Sequence, residues 1–257
     1  MLSETAPAKL NLTLHVRGKL SDGRHALETI FAFCTDGDLL QGQAADELTL
    51  DCDGPFAASI DGDNLVMRAA RALAEIAAVE SKAALRLTKN LPVASGIGGG
   101  SADAAAALRM LTRLWRIDPA HASAVAPSIG ADVPACLLSM TARGSGAGDA
   151  LTLIDAGISG ASVLLVNPQV KVSTRDVFAA WDGVDRGPLL EWRAGRNDLK
   201  APARSLAPAL GARHGVDVVR MSGSGATCFA LFADEMARDQ AAARCPANWW
   251  HLATHLR

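Results

Sequence analysis

Residues 94–108 read ASGIGGGSADAAAAL, and this run decides how the rest of the chain is read. Gly96, Gly98, Gly99 and Gly100 leave the backbone almost bare of side chains, and Ser101 then opens an alanine-rich run with Asp103 in its first turn. Glycine tolerates positive φ and admits a ligand close to the main chain. A helix that starts here presents unpaired N–H groups and the positive end of its dipole. The combination is an anion site, and the usual anion at such a site is a phosphate. The spacing excludes two common phosphate loops. No lysine follows the glycines, as a P-loop requires, and their order is not Gly-x-Gly-x-x-Gly. Any cation for the phosphates must come from another segment.

Bulk properties narrow the setting. The 257 residues suffice for one large domain or two small ones, and 49% apolar content suffices for a packed core. A net charge of −2 gives no general attraction to nucleic acid or to a membrane surface. Cys34, Cys52, Cys136, Cys228 and Cys245 lie far apart and form no CxxC pair. That argues against zinc, disulfides and secretion, and for the reducing cytoplasm. The opening MLSETAPAKLNLTLHV carries Glu4, Lys9 and Asn11 where a signal peptide needs a basic end and an apolar run. No stretch approaches the roughly 18 apolar residues of a membrane span. Tyrosine is absent and aromatics make up only 4%, so small apolar residues must fill the core.

Along the chain, residues 9–16 alternate: Leu10, Leu12, Leu14 and Val16 are apolar, and Lys9, Asn11, Thr13 and His15 are polar. The period of two predicts a half-buried strand with Lys9 and Asn11 on one face, about 6–7 Å apart. Asp22-Gly23 marks a turn, and residues 27–33 and 48–52 read as further strands. Asp63 reads as the N-cap of a helix over about 64–79, with Leu65, Ala69, Leu73 and Ile76 as its apolar stripe. Residues 84–89 alternate as a strand, Leu85 and Leu87 inward, and lead through Leu91-Pro92 into the glycine loop. The helix beyond that loop is expected over 101–116, with Leu108, Leu111 and Trp115 facing the core. Arg109, Arg113 and Arg116 share its other side, and Asp118-Pro119 closes it.

Asp132 lies in the apolar stretch SIGADVPAC, a setting typical of a turn. Residues 142–148, ARGSGAG, form a second glycine loop, either a hairpin or a nucleotide contact. GISG at 157–160 looks like a boundary. Beyond it the pattern predicts a strand over 161–166, helices near 174–182 and 198–214, and a strand over 216–221. The loop SGSGAT at 222–227 and a strand over 228–233 complete the reading.

Taken in order, these segments make the chain resemble the GHMP kinases. The resemblance is carried by APAKLNLTLHVRGKLSDGRHALETIF at 6–31, LPVASGIGGGSADAAAAL around the glycine loop, and GADVPACL around Asp132. ARGSGAGDAL, VSTRDVF, NDL at 197–199 and SGSGATCFALF also fit in order and spacing, so nearly the whole chain is covered. The resemblance implies an α+β fold with two domains. One, over 1–158, binds ATP and is like the second domain of ribosomal protein S5; the other, over 159–257, is ferredoxin-like, and the active site lies in the cleft between them. It implies an ATP-dependent small-molecule kinase that uses Mg2+, is a monomer or a homodimer, and has no nucleic-acid or membrane partner. SDGRHAL narrows the acceptor to a cytidine-diphosphate-linked methylerythritol, phosphorylated on its 2-hydroxyl in the non-mevalonate route to isoprenoids. A family kinase acting on homoserine or mevalonate is the alternative, and GRHALETIF and VSTRDVF argue against it.

The same resemblance assigns roles to residues. Lys9 and Asp132 fall on the catalytic pair. Phosphoryl transfer has a loose transition state, so positioning and charge stabilisation do most of the work. Asp132 can accept or orient the acceptor's hydroxyl proton, and Lys9 can bind the transferring oxygens. Asn64, Leu65 and Lys89 match the adenine side of the ATP pocket. Pro92, Ala94, Ser95, Gly96, Ile97, Gly98, Gly99, Gly100 and Ser101 match the phosphate loop. Asn11, Arg24, His25 and Phe178, with Asp132, match the acceptor site, and Gly223, Ser224, Gly225, Ala226 and Thr227 would close on its diphosphate. Magnesium is implied with the ATP, but no ligand to it is assigned. Arg24 departs from the family pattern, because an aromatic usually stands there and stacks on cytosine. A guanidinium can also stack on a ring, with Phe178 as the opposite wall. Ala94 and Ser95 are small replacements for the commoner glycine and alanine.

Overall fold

The computed structural model describes residues 1–60, 62–206 and 218–257. Two compact units interleave along the chain: Met1–Ala8, Asp36–Val93 and Gly98–Ser139 form the first, and Lys9–Thr35, Ala94–Ile97 and Met140–Arg257 the second. Each combines helices with largely antiparallel strands, as the expected α+β class requires. Two long strands, β1 (Leu2–Lys19) and β2 (His25–Gln43), each contribute residues to both units.

In the first unit, β3 (Leu48–Asp53) pairs in parallel with β4 (Ala83–Thr88), which pairs antiparallel with Leu39–Gln43 of β2. A parallel pair needs a crossover, and α1 (Leu65–Ile76) supplies it. Asn64, not Asp63, caps α1: its side chain accepts the Val66 N–H at 2.8 Å. The buried face is Val66, Ala69, Ala70, Leu73 and Ala74, and Ile76 is 46% exposed. Of the expected stripe, Ala69 and Leu73 are in the buried face, whereas Leu65 is only half-buried and Ile76 points outward.

Helix α2 (Gly99–Leu114) starts two residues before the expected Ser101. Its cap, Gly98, is left-handed at φ 64°, a conformation glycine adopts without strain. Ala102, Ala104, Ala105, Ala106, Ala107, Leu108, Met110 and Leu111 are buried, and the slim alanine surface lets α1, α3 (Pro119–Ile129) and α4 (Val133–Leu138) all pack on this helix. Trp115 lies beyond the helix rather than in its core stripe, and its indole N–H donates to the Lys82 carbonyl at 3.0 Å. Asp118 and Pro119 open α3: the Asp118 side chain accepts the Ala120 N–H at 2.8 Å, and proline occupies the first helical position, where no N–H is needed. This helix was not among the expected elements, and it carries Pro127 in its interior.

In the second unit, β1 and β2 form a hairpin through Asp22-Gly23, with Gly23 at φ 85°. Thr29–Phe31 of β2 pair with β5 (Ala142–Ser145), which pairs with β6 (Ala150–Leu153). The ARGSGAG loop is therefore a hairpin. A second antiparallel sheet has the order β10 (Trp250–His255), β7 (Ser162–Asn167), β9 (Cys228–Phe232), β8 (Val218–Met221). Helices α5 (Thr174–Ala179) and α6 (Lys200–Leu206) pack together, and α7 (Glu235–Ala242) lies on β7, β9 and β10. The remainder of the helix expected over 198–214 and the start of the strand expected at 216 lie outside the described residues. Leu14, Val16, Val172, Val177, Leu199, Met221 and Ala226 form the core of this unit beneath β1.

The strand over 9–16 is not half-buried. Lys9, Asn11, Thr13 and His15 are each at most 4% exposed, so its polar face is covered as completely as its apolar one. The polar groups that cover it belong to the site.

Candidate active site

In the second unit, β1 meets two small-residue loops. Lys9 Nζ donates to Asn11 Oδ1 at 2.9 Å and stands 5.2 Å from the centroid of the Phe31 ring. Asn11 Nδ2 donates to Thr29 Oγ1 at 2.8 Å, and that hydroxyl donates to the Thr13 carbonyl at 2.6 Å. The lysine head is thus held by a relay whose members are buried and hydrogen-bonded, the condition for keeping polar groups inside a protein.

The loop segment Ser95–Ile97 is tied to β1 and to residues 222–227. Lys9 N–H donates to the Ile97 carbonyl at 2.9 Å, and Thr227 N–H donates to the Ser95 carbonyl at 3.0 Å. Asn11 N–H donates to Ser222 Oγ at 3.1 Å, and that hydroxyl donates to the Gly96 carbonyl at 2.9 Å. Gly96 has φ 79°, and a Cβ on it would lie 2.5 Å from the Ser222 carbonyl oxygen and 2.7 Å from that of Gly225. Only glycine fits there. On the far side, Asn197 Nδ2 donates to the carbonyls of Met221 at 2.6 Å and Gly223 at 2.8 Å. Asn167 Nδ2 donates to Thr227 Oγ1 at 2.9 Å, and the hydroxyls of Thr174 and Ser224 are 2.9 Å apart. The loop from Gly223 through Ser224, Gly225, Ala226 and Thr227 is buried along its length.

An aromatic group stands in the same unit. The His25 ring lies 4.9 Å from Phe178, tilted by 34°, and 5.6 Å from Trp181, edge to face at 84°. Burial, with the Lys19 charge adding to it, pulls the His25 pKa below its ordinary value and favours the neutral ring. Arg24 does not join these rings. Its guanidinium donates to Asp22 at 2.7 Å and to Asp149 at 3.3 Å, and its side chain is 55% exposed. The ring against Phe178 is therefore His25. Trp181 was missed in the sequence, although its place three residues after Phe178 puts both on one side of a helical turn.

The first unit holds the other expected residues except Ala94, which begins the Ala94–Ile97 segment of the second. Asp132 stands half-buried at the start of α4, at φ −86°. Asn64 and Leu65 begin α1, and Pro92 is buried. In the first turn of α2, Gly100 is exposed and Ser101 half-buried, and the first N–H groups of a helix have no partner inside it. Lys89 is 2% exposed and its ammonium lies between two carboxyl groups, donating to Asp38 and, at 2.6 Å, to Asp103. Burial pushes the Asp103 carboxyl up, and the Lys89 ammonium beside it pulls the other way, toward the charged form. Burial also weighs against the Lys89 charge, but Asp103 and Asp38 outweigh it and raise its pKa. The partnership with Asp38 and Asp103 was not visible in the sequence, where Lys89 stood alone.

Residues 64–140 match the model of the GHMP kinases N terminal domain, and residues 199–250 that of the GHMP kinases C terminal region. The chain belongs to the GHMP kinase family. Among its relatives, the 4-diphosphocytidyl-2-C-methyl-D-erythritol kinase of Rhizorhabdus wittichii is 50% identical over 99% of this chain and 94% of its own length. The protein of the same name from Novosphingobium aromaticivorans is 47% identical over 100% of this chain and 93% of its own. A crystal structure of a 4-(cytidine 5'-diphospho)-2C-methyl-D-erythritol kinase matches with a TM-score of 0.83 at 32% identity, covering 99% of both chains. Mevalonate kinase of Methanococcus jannaschii, at 7% identity and a TM-score of 0.68, shares the fold.

Proposed function

We propose that this chain transfers the γ-phosphoryl group of ATP to the 2-hydroxyl of 4-diphosphocytidyl-2-C-methyl-D-erythritol, a step of the non-mevalonate route of isoprenoid biosynthesis. The observation that carries the reading is the likeness, at 46–50% identity over essentially the whole chain, to relatives bearing the name of that kinase. We keep 1–158 and 159–257 as its two domains in the family sense and place it in the cytoplasm. No helix among the described residues is long and apolar enough to cross a membrane.

In this reading Asp132 accepts the hydroxyl proton as the acceptor oxygen attacks the γ-phosphorus. Lys9, its head fixed by Asn11, stabilises the charge on the transferring oxygens. The first-turn amides of α2 and the glycines before it take the ATP phosphates. Asn64, Leu65 and the Lys89 segment border the adenine. Magnesium would accompany ATP. An ion that keeps several waters and takes phosphate oxygens as ligands needs no cage of protein side chains, and it would neutralise phosphate charge. His25 and Phe178 hold the cytosine, with Trp181 backing His25, and Gly223–Thr227 face the diphosphate.

The assay is purified chain with ATP and, separately, the cytidyl acceptor, mevalonate and homoserine. ADP release with the cytidyl acceptor alone supports the reading. Release with mevalonate or homoserine instead leaves a GHMP kinase with a different acceptor.

A further inference from the structure

Three charged side chains far apart in sequence meet in the interior of the first unit. Asp38 on β2 is 0% exposed, Lys89 just after β4 is 2% exposed, and Asp103 in α2 is 3% exposed. Taking an ammonium and two carboxyl groups out of water is costly, and such a cluster is seldom better for stability than well-packed apolar residues of similar size. Its geometry points to another use.

Asp38 grips the chain that leads toward the glycine loop. Besides accepting from Lys89 Nζ, its other oxygen accepts the N–H of Asn90 at 2.6 Å and of Leu91 at 2.8 Å. The Lys89 main chain is held from the opposite direction, its N–H donating to the Asp53 carbonyl at 2.7 Å and its carbonyl accepting the Phe56 N–H at 3.1 Å. The Lys89 side chain then reaches α2. Its ammonium takes Asp103 at 2.6 Å and lies 3.1 Å from where a Cβ on Gly99 would stand. Gly99 thus leaves room for the ammonium against the first turn, the turn that the kinase reading assigns to the phosphates.

We propose that Asp38, Lys89 and Asp103 are positioning residues for ATP: through Lys89 the two carboxylates lock the first turn of α2 in the orientation that holds the phosphates. The inference rests on the kinase reading and extends it to Asp38 and Asp103, whose side chains are buried against Lys89. In Asp103→Asn the side chain keeps its shape but the charge-assisted bond to Lys89 is weakened. The expected result is a KM for ATP, and a Kd for an unhydrolysed ATP analogue, raised about tenfold, the size of one such bond. The KM for the acceptor stays within twofold and the melting temperature within a few degrees. Gly99→Ala, which crowds the ammonium without removing a charge, should shift the ATP constants in the same direction by a smaller factor.

Folded Asp103→Asn with unchanged ATP constants would overturn the proposal. So would loss of the fold in that variant, or an equal rise in the KM values of both substrates, since each assigns the network to stability alone. A wild-type chain with no affinity for ATP would instead defeat the kinase reading on which the inference stands.

Discussion

Lys9 and Asn11 stand two residues apart on one face of β1, and the lysine ammonium donates to the asparagine carboxamide at 2.9 Å while both are buried. A free lysine has several rotamers of similar energy, and fixing one costs entropy that here is met in advance by the fold. Lys9→Met should therefore lower kcat by roughly 10²–10³, the range for removing one preorganised electrostatic contact. Asn11→Leu should lower it less, because the charge remains but its position is lost. Steady-state kinetics on variants with wild-type melting curves would decide. Equal activity of Lys9→Met and wild type would take Lys9 out of the mechanism.

Asp132→Asn preserves shape and removes the proton acceptor. Turnover should fall by about 10²–10⁴ with ATP affinity retained, as measured by calorimetry with an unhydrolysed analogue. Near-normal turnover in a folded variant would mean the acceptor hydroxyl loses its proton elsewhere.

Gly98 caps α2 at φ 64°, where a β-branched side chain is strained and would stand over the phosphates. Gly98→Val should abolish binding of the ATP analogue while the circular dichroism spectrum persists. Unchanged affinity would make the loop purely structural.

Arg24 and His25 separate cleanly in the structure. Arg24 is occupied by Asp22 and Asp149, and His25 by Phe178 and Trp181. Arg24→Ala should leave the acceptor KM within twofold. Phe178→Ala and Trp181→Ala should each raise it severalfold, since an aromatic pair contributes about 0.5–1.5 kcal/mol beyond its area. The reverse order of effects would mean that the guanidinium leaves its carboxylates to stack on cytosine.

His25 also sets a pH dependence. Its pKa lies below the ordinary 6.5, so the folded site prefers the neutral ring and the unfolded chain binds the proton more readily. Stability and acceptor binding drawn from His25 are complete above pH 6.5 and are lost as pH falls through the lower folded value. The acceptor KM should be flat from pH 8 to about 6.5 and rise on further acidification, and His25→Gln should remove that rise.

The glycine loop and the helix after it were legible because glycine spacing and an alanine run follow from local backbone chemistry. So was the strand carrying Lys9 and Asn11, from its period of two. The strand's burial was not legible, because Ser222 and Gly96 cover its polar face from far along the chain. Asp63 and Asn64 are both good caps, and only the helix phase selects Asn64. Asp38 and Asp103 carry no local signal, since their shared partner Lys89 is 51 and 14 residues away. The polar, largely exposed α7 and the short β10 escaped for lack of a strong apolar pattern.

The central claim is tested most directly by phosphorus NMR of the product formed from ATP and 4-diphosphocytidyl-2-C-methyl-D-erythritol. One new phosphomonoester signal, on the 2-oxygen of the methylerythritol unit, should grow in step with ADP, and with Asp132→Asn it should grow at least about 10²-fold more slowly. ADP released without a new phosphoester, a phosphate on another oxygen, or no reaction with this acceptor would contradict it.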